Sequence, residues 1–362
     1  MQYYRIHTGE DIVLLPASAN VRKMYVEASS LCNFSCITCI RHSWEDSQGF
    51  MTWDIFAKLL QDARELPDLS TIHFGGFGEP FTNPRLVEMI RASKDAGYQV
   101  EMITNGSFLS AEVCEELVKA GLDWLFVSLD GPDPASFEQI RPGASFEQVS
   151  ANLLQLQHMK ARMGRLSPRL GIEFVATRTN LPKLKGMRQI IRSLKAEQFI
   201  ITNVLPYHAR MKQEILYGGD GKDIDLSLLT MTTPLKAAPN MKLYTERYCK
   251  FVNDKAVAIT YNGEVSPCYA FMHNYTCYIL EREKKVKAHS FGSILEKSLK
   301  SIWTSERYST FRWTVRNNRY PSCIDCRQAN GCVMAQTTEG DCWGNQPSCG
   351  DCLWSRNIVV CP

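Results

Sequence analysis

Between about residue 22 and residue 206 the chain alternates short β-rich apolar runs with amphipathic stretches. The strand-like runs are "KMYVEAS", "STIHFGG", "YQVEMITN", "DWLFVSLD", "RLGIEFVAT" and "FIITNVLP". Strands that follow one another in parallel need a helix to carry the chain back, so this succession of β-α units predicts a parallel sheet, either doubly wound or curled into a partial barrel. Helix signals sit where the crossovers belong. Thr52 opens "TWDIFAKLLQDARE", with Phe56, Leu59, Leu60 and Ala63 on one face. Asn83 and Pro84 start the next helix and Gly97 ends it, and Ser110 caps "AEVCEELVKAG". In both architectures ligands gather beyond the carboxyl ends of the strands, which is where unusual residues are expected.

The rest of the chain reads differently. We divide it into an extension (1–21), the β-α core (22–215), a Gly- and Pro-punctuated linker (216–248) and a cysteine-rich region (249–362). In the last, "AVAITYNGEVSPC" predicts a hairpin turning at Asn262 and Gly263. "FGSILEKSLKSIW" and "FRWTVRN" predict a helical linker whose Ile294, Leu295, Leu299 and Ile302 pack onto the core. Continuous apolar pattern is short there, so bound metal is expected to supply the missing staples.

Charge and leader patterns narrow the function. Forty-one Lys and Arg against 38 Asp and Glu leave a net charge of +3, too balanced to advertise nucleic acid or a membrane surface as partner. The start "MQYYRIHTGEDIVLL" lacks a basic and then apolar leader, and no apolar run reaches the roughly 18 residues of a membrane span. The expected place is the cytoplasm, where fourteen cysteines stay reduced and clustered thiols act as metal ligands rather than disulfides.

Cys32, Cys36 and Cys39 follow the first strand in "CNFSCITC". Three thiolates so close cannot all enter an apolar core, and they leave a four-coordinate centre one ligand short, as catalysis requires. A structural zinc site, with His42 as fourth ligand, is the alternative. The second strand ends in "GGFGEP", where Gly75, Gly76 and Gly78 permit close backbone approach and Glu79 offers a carboxylate. The third ends in Thr104, Asn105 and Gly106, and the fourth in Ser128, Asp130 and Gly131; Arg141 follows and can pair with a carboxylate on a ligand or on the protein. Each is a weak turn motif alone. At the same end of consecutive strands they predict one pocket. Cys114, on the apolar side of its helix, is a core residue.

These motifs together resemble the radical S-adenosylmethionine (SAM) superfamily over about residues 22 to 210. The resemblance implies a partial (β/α)6 barrel in which Cys32, Cys36 and Cys39 hold a [4Fe-4S] cluster whose fourth iron binds the amino and carboxylate groups of S-adenosylmethionine. Gly78 and Glu79 would contact the amino group, Ser128 and Asp130 the ribose side, Arg141 the carboxylate, and Thr104 and Asn105 the wall. Reductive cleavage would yield a 5'-deoxyadenosyl radical that takes hydrogen from a substrate. Thr38 departs from the aromatic that many members carry before the last cysteine.

Cys249, Gly263-x4-Cys268 and the run Cys323, Cys326 and Cys332 resemble the SPASM extension, which implies one or two auxiliary [4Fe-4S] clusters. The usual fourth cysteine of that run is Gln336 here. The expected grouping gives one cluster Cys249, Cys268, Cys342 and a further ligand. It gives the other Cys323, Cys326, Cys332 and one of the tail cysteines Cys349, Cys352 and Cys361. Cys277 is left out. The tail "DCWGNQPSCGDCLW" with its final "CP", together with "IRHSW", "ITNVLPYH" and "MHNY", is similar to the maturases of tungsten-cofactor oxidoreductases (aldehyde ferredoxin oxidoreductases). That likeness implies a tungsten-containing oxidoreductase or its cofactor as target and a ferredoxin or flavodoxin as electron donor. A maturase that crosslinks or epimerises a ribosomal peptide is the rival enzyme, and a zinc-stapled binding scaffold the rival of another class. Tyr207, His208, Arg210 and His273 are candidate substrate-side residues.

Overall fold

The computed structural model describes residues 2–8, 11–218, 235–241, 243 and 246–360. A hairpin of β1 (Tyr3–Thr8) and β2 (Asp11–Pro16) comes first. Six strands then lie side by side in chain order, all parallel: β3 (Lys23–Val26), β4 (Thr71–Phe74), β5 (Gln99–Thr104), β6 (Trp124–Ser128), β7 (Arg169–Ala176) and β8 (Gln198–Asn203). The connections carry α1 (Trp53–Ala63), α2 (Leu86–Asp95), α3 (Ala111–Ala120), α4 (Pro134–Ile140), α5 (Phe146–Arg162) and α6 (Met187–Ser193). Thr52 and Ser110 accept from the Ile55 and Val113 amides at the helix starts. Asn83 takes the Arg85 amide, and α2 begins later than Asn83 and Pro84 imply, at Leu86.

Strand alternation separates two faces. Met24, Val26, Ile72, Phe74, Val100, Leu125, Ile172 and Ile201 pack outward against Phe56, Leu59, Leu117 and Leu153 of the helices, in one continuous core that includes Cys114. The inner face is polar towards the carboxyl ends, with Glu27, Glu173 and Thr202, and aromatic below, where Trp124, Phe126, Ile200 and the tail residue Val360 pack together. Gly171 is required there, because a Cβ would stand 2.4 Å from the Phe126 ring.

The sheet does not end with the sixth strand. β9 (Leu235–Ala237) adds to β8, and β10 (Ala256–Ile259) adds in parallel to β3, carrying β11 (Val265–Ser266) as its antiparallel partner. The expected hairpin at Asn262 and Gly263 is thus present, with Gly263 at φ +89, but it continues the barrel sheet rather than belonging to a detached unit. A separate hairpin joins β12 (Tyr275–Ile279) to β13 (Arg282–Val286). Ile294, Leu299 and Ile302 are buried as expected. Leu295 is not: it is 61% exposed, because the chain is turning there and the helix starts only at Leu299, behind the Ser298 cap. Among the described residues no helix is long and apolar enough to cross a membrane.

Low on the inner face, His73 Nδ1 lies 3.4 Å from Glu101, which Lys23 also holds at 2.7 Å. Burial pushes His73 from its ordinary 6.5 down to about 4. The unfolded chain therefore takes up this proton first, and the His73 contribution to stability is lost as pH falls from about 6.5 through about 4. Glu79 and Glu173, both pushed up to about 7 by burial, act in the opposite sense, so only a comparison isolates the histidine. Urea unfolding of wild type and His73→Gln at both ends of that window should show the wild type losing up to about 3 kcal/mol more on acidification.

Candidate active site

The cysteine loop leaves β3 through Ser29 and Ser30, whose hydroxyls hold the Gly49 carbonyl at 3.3 and 3.1 Å. It is clamped from the other side by the "GFGEP" turn: the Glu79 amide donates to Leu31 O at 2.7 Å, and a Cβ on Gly78 would stand 2.2 Å from Ser29 O. Only glycine fits this backbone approach. The Glu79 carboxylate, 2% exposed, accepts from the Asn105 amide and Thr104 Oγ1 at 2.7 Å each and from the Phe81 amide at 3.1 Å. It joins the ends of β4 and β5, and burial still raises its carboxyl to about 7 against those donors.

Cys32, Cys36 and Cys39 are half-buried neighbours. The Phe34 amide and Asn105 Nδ2 point at Cys32 Sγ, at 3.4 and 4.0 Å, and Arg141 Nη1 approaches Cys36 Sγ at 3.8 Å. Arg141 is set by Asp130, whose Oδ2 takes Nε at 2.8 Å and Nη2 at 2.7 Å. Asp130 Oδ1 accepts the Val175 amide at 2.8 Å, and no part of the residue is exposed. The resemblance puts Asp130 on the ribose side; here both its oxygens already take protein donors, and it holds the Arg141 guanidinium.

Beside Cys39 a cavity of about 190 Å³ opens, walled by Gly76, Phe77, Glu173, Thr202, Asn203, Tyr269 and the tail residues Trp354, Val359 and Val360. Glu173 is the acid that sequence reasoning missed. Its carboxyl, raised to about 7 by burial and then by Asp130, takes a hydrogen bond from Ser128. A lone acid in the apolar run "RLGIEFVAT" was the available signal. Of the substrate-side candidates, His208 and Arg210 are exposed, and Tyr207 lies against His42 with ring centres 5.3 Å apart. His273 is buried between Glu27, at 2.8 Å, and Asp46, at 3.5 Å, under the Trp44 ring.

The remaining thiols form two groups. Burial raises Cys249 to about 12 and pushes Cys268 and Cys349 well up too, with the charge of Cys352 the next contributor to each, so these four are neighbours. Cys323, Cys326 and Cys332 follow on successive tight turns, and the charge of Cys342 reaches Cys323. Cys349 and Cys352 thus lie beside Cys249 and Cys268, and Cys342 acts on Cys323; Cys326 and Cys342 are exposed. Cys277 lies across the β12–β13 hairpin from Lys284, near Asp351 and Arg282, and lines one cavity with Cys352. Cys361 lies outside the described residues.

Among the described residues, no three His, Cys, Asp or Glu side chains converge on a point that one metal ion would occupy. Thiols grouped more openly than that fit iron-sulfur clusters, which several thiolates hold around a larger centre. The three-thiol loop, with its missing ligand and its adjacent guanidinium, fits one that also takes S-adenosylmethionine.

Two family models match: the radical SAM superfamily over residues 26–161 and the SPASM iron-sulfur cluster-binding domain over residues 249–327. The chain belongs to the radical SAM superfamily and to its SPASM-bearing branch, and is an enzyme of that class, using a [4Fe-4S] cluster, S-adenosylmethionine and auxiliary iron-sulfur clusters. Within it, the chain is 38% identical over 354 residues to the tungsten-containing aldehyde ferredoxin oxidoreductase cofactor-modifying protein of Pyrococcus furiosus, covering 94% of this chain and 97% of that one. A PqqA peptide cyclase of Gluconobacter oxydans is 25% identical, over 90% of this chain and 89% of its own. Among solved structures, SuiB of Streptococcus suis bound to the precursor peptide SuiA superposes with a TM-score of 0.62 at 16% identity, over 90% of this chain and 72% of that one.

Gly78→Ala is expected to lower the melting temperature of the metal-free protein by several degrees, since the clash is with backbone that cannot move aside. Gly331→Ala, where a Cβ meets nothing within 4 Å, should leave it within about 0.5 kcal/mol of wild type. Equal melting curves for the two variants would refute the clamp.

Proposed function

We propose that this enzyme modifies the cofactor of a tungsten-containing oxidoreductase, in the cytoplasm, with a small ferredoxin or flavodoxin as electron donor. The 38% identity to a protein named for that modification carries the reading, because it covers 94% of this chain and 97% of that one. Likeness to peptide-modifying structures stands at 16% identity and speaks for the fold alone.

When bound, the cluster and S-adenosylmethionine supply a 5'-deoxyadenosyl radical able to take a hydrogen atom from the substrate. The chain's own residues do the rest. Cys32, Cys36 and Cys39 hold the cluster and leave one iron open. Arg141, fixed by Asp130, meets the carboxylate of S-adenosylmethionine; the Gly78 turn, anchored by Glu79 to Thr104 and Asn105, frames its amino group; Ser128 and Glu173 face the ribose side. Phe77, Tyr269 and Trp354 wall the cavity with rings, which keeps water from the reacting atoms. Cys249, Cys268, Cys349 and Cys352 hold an inner auxiliary cluster, and Cys323, Cys326, Cys332 and Cys342 an outer one.

Two measurements test this. Asp130→Asn should keep its iron yet bind S-adenosylmethionine about tenfold more weakly in equilibrium titration of the reconstituted protein, because Arg141 loses the charge that orients it. In a strain lacking this gene, the tungsten oxidoreductase should be isolated with a cofactor of altered mass. The wild-type gene should restore it, and a version with Cys32, Cys36 and Cys39 all changed to Ala should not. An unaltered cofactor in the deletion strain, with 5'-deoxyadenosine formed on addition of a precursor peptide, would overturn the tungsten reading in favour of the peptide one.

A further inference from the structure

A buried charge cluster lies between the two auxiliary thiol groups. Arg282 and Lys284, two residues apart on β13 and so on one face, both reach Asp351: Arg282 through Nη1 and Nη2 at 2.8 Å each, Lys284 through Nζ at 2.9 Å. Both also donate to the Ala335 carbonyl, at 2.8 and 3.2 Å. The three side chains are 9%, 4% and 1% exposed. Two cations against one carboxylate leave a net positive charge in the interior, an arrangement that costs stability where an apolar trio would fill the space.

Its position gives that cost a purpose. Asp351 sits in the tail between Cys349 and Cys352, and Lys284, Asp351 and Cys352 line one apolar cavity. On the opposite side Gly350 touches the outer group: the Cys323 amide donates to Gly350 O at 2.9 Å, and a Cβ on Gly350 would stand 2.5 Å from Cys323 Sγ. Ala335, which holds both cations, closes the turn that starts at Cys332, its amide on Cys332 O at 3.1 Å. The charge is thus attached to a ligand loop of each group. Reducing an iron-sulfur cluster adds a negative charge to its site, and a fixed, buried cation nearby makes that addition easier.

We propose that Arg282 and Lys284, held in place by Asp351, raise the reduction potentials of the auxiliary clusters, which makes those clusters better electron acceptors. The inference rests on the two four-thiol groups being the cluster ligands. It concerns residues that touch no substrate, and their role is to tune the centres beside them.

The test uses the full chain with Cys32, Cys36 and Cys39 changed to Ala, so that only auxiliary clusters remain, reconstituted anaerobically and titrated by electron paramagnetic resonance. Adding Lys284→Met should leave iron and sulfide unchanged and move at least one midpoint potential to a more negative value, while Lys284→Arg should restore it. Unmoved midpoints at full iron content would overturn the inference, and so would a Lys284→Arg variant that shifts as far as Lys284→Met. If Lys284→Met fails to hold iron, Arg282→Gln makes the same test, since Lys284 still neutralises Asp351. Iron for fewer than two clusters in the parent triple variant would instead strike the ligand assignment itself, a separate failure.

Discussion

The ion pair between Asp130 and Arg141 is the contact on which the site depends. Taking both charges out of water costs several kcal/mol per ion unless each is fully hydrogen-bonded, and the fold meets that condition. Asp130 has the Val175 amide of β7 as well as the guanidinium, and Arg141 has the Cys36 sulfur beyond it. One pair therefore joins β6, β7, the end of α4 and the cysteine loop. Its geometry also decides which way positive charge faces. With Nε and Nη2 spent on Asp130, Nη1 is turned towards Cys36, where a thiolate needs it, for burial and then the charges of Asp130 and Cys32 push that thiol up while Arg141 pulls it down.

Much of this was legible in the chain, and for physical reasons. Parallel strands need crossover helices, so the β3 to β8 order follows from alternation, and Thr52 and Ser110 mark helix starts because a hydroxyl there satisfies an amide that nothing else can. The cysteine loop and the strand-end turns were legible because their residue types suit little else at those spacings. What was hidden is whatever depends on pairing across long separations. Nothing local in "AVAIT" says that it lies parallel to "KMYV", more than 230 residues earlier, in register from Ala256 with Lys23. Nor does spacing along the tail say that Cys349 lies beside Cys249 and Cys268 while Cys342 acts on Cys323. Glu173 stayed hidden for a simpler reason: a single acid within a strand looks like an exception until the strand is seen to face a cavity.

The β10 pairing alters how the two halves of the chain are understood. A cysteine-rich region that merely docked on a barrel would meet it through a polar, adjustable interface. Here a strand of that region is hydrogen-bonded into the barrel sheet, and Glu27, one residue beyond β3, is held by His273 and by the Tyr261 amide from the other side. Asp46, just past the first cysteine loop, grips the Asn274 amide and side chain at 2.7 and 2.6 Å. The loop that carries Cys32 to Cys39 and the segment that follows Cys268 are therefore fixed to one another through backbone and buried acids, which permits little independent movement.

The tail completes this coupling. From Cys349 to Cys352 it contributes thiols to the inner group; a few residues later Trp354, Val359 and Val360 wall the cavity beside Cys39. It is tied there by hydrogen bonds from Asn203 Nδ2 to Ile358 O and from the Val360 amide to Thr202 Oγ1, at 3.0 and 2.8 Å. Thr202 and Asn203 end β8 and face the same cavity. A single short stretch thus belongs to an auxiliary centre at one end and to the reaction chamber at the other, with rigid sheet beneath both.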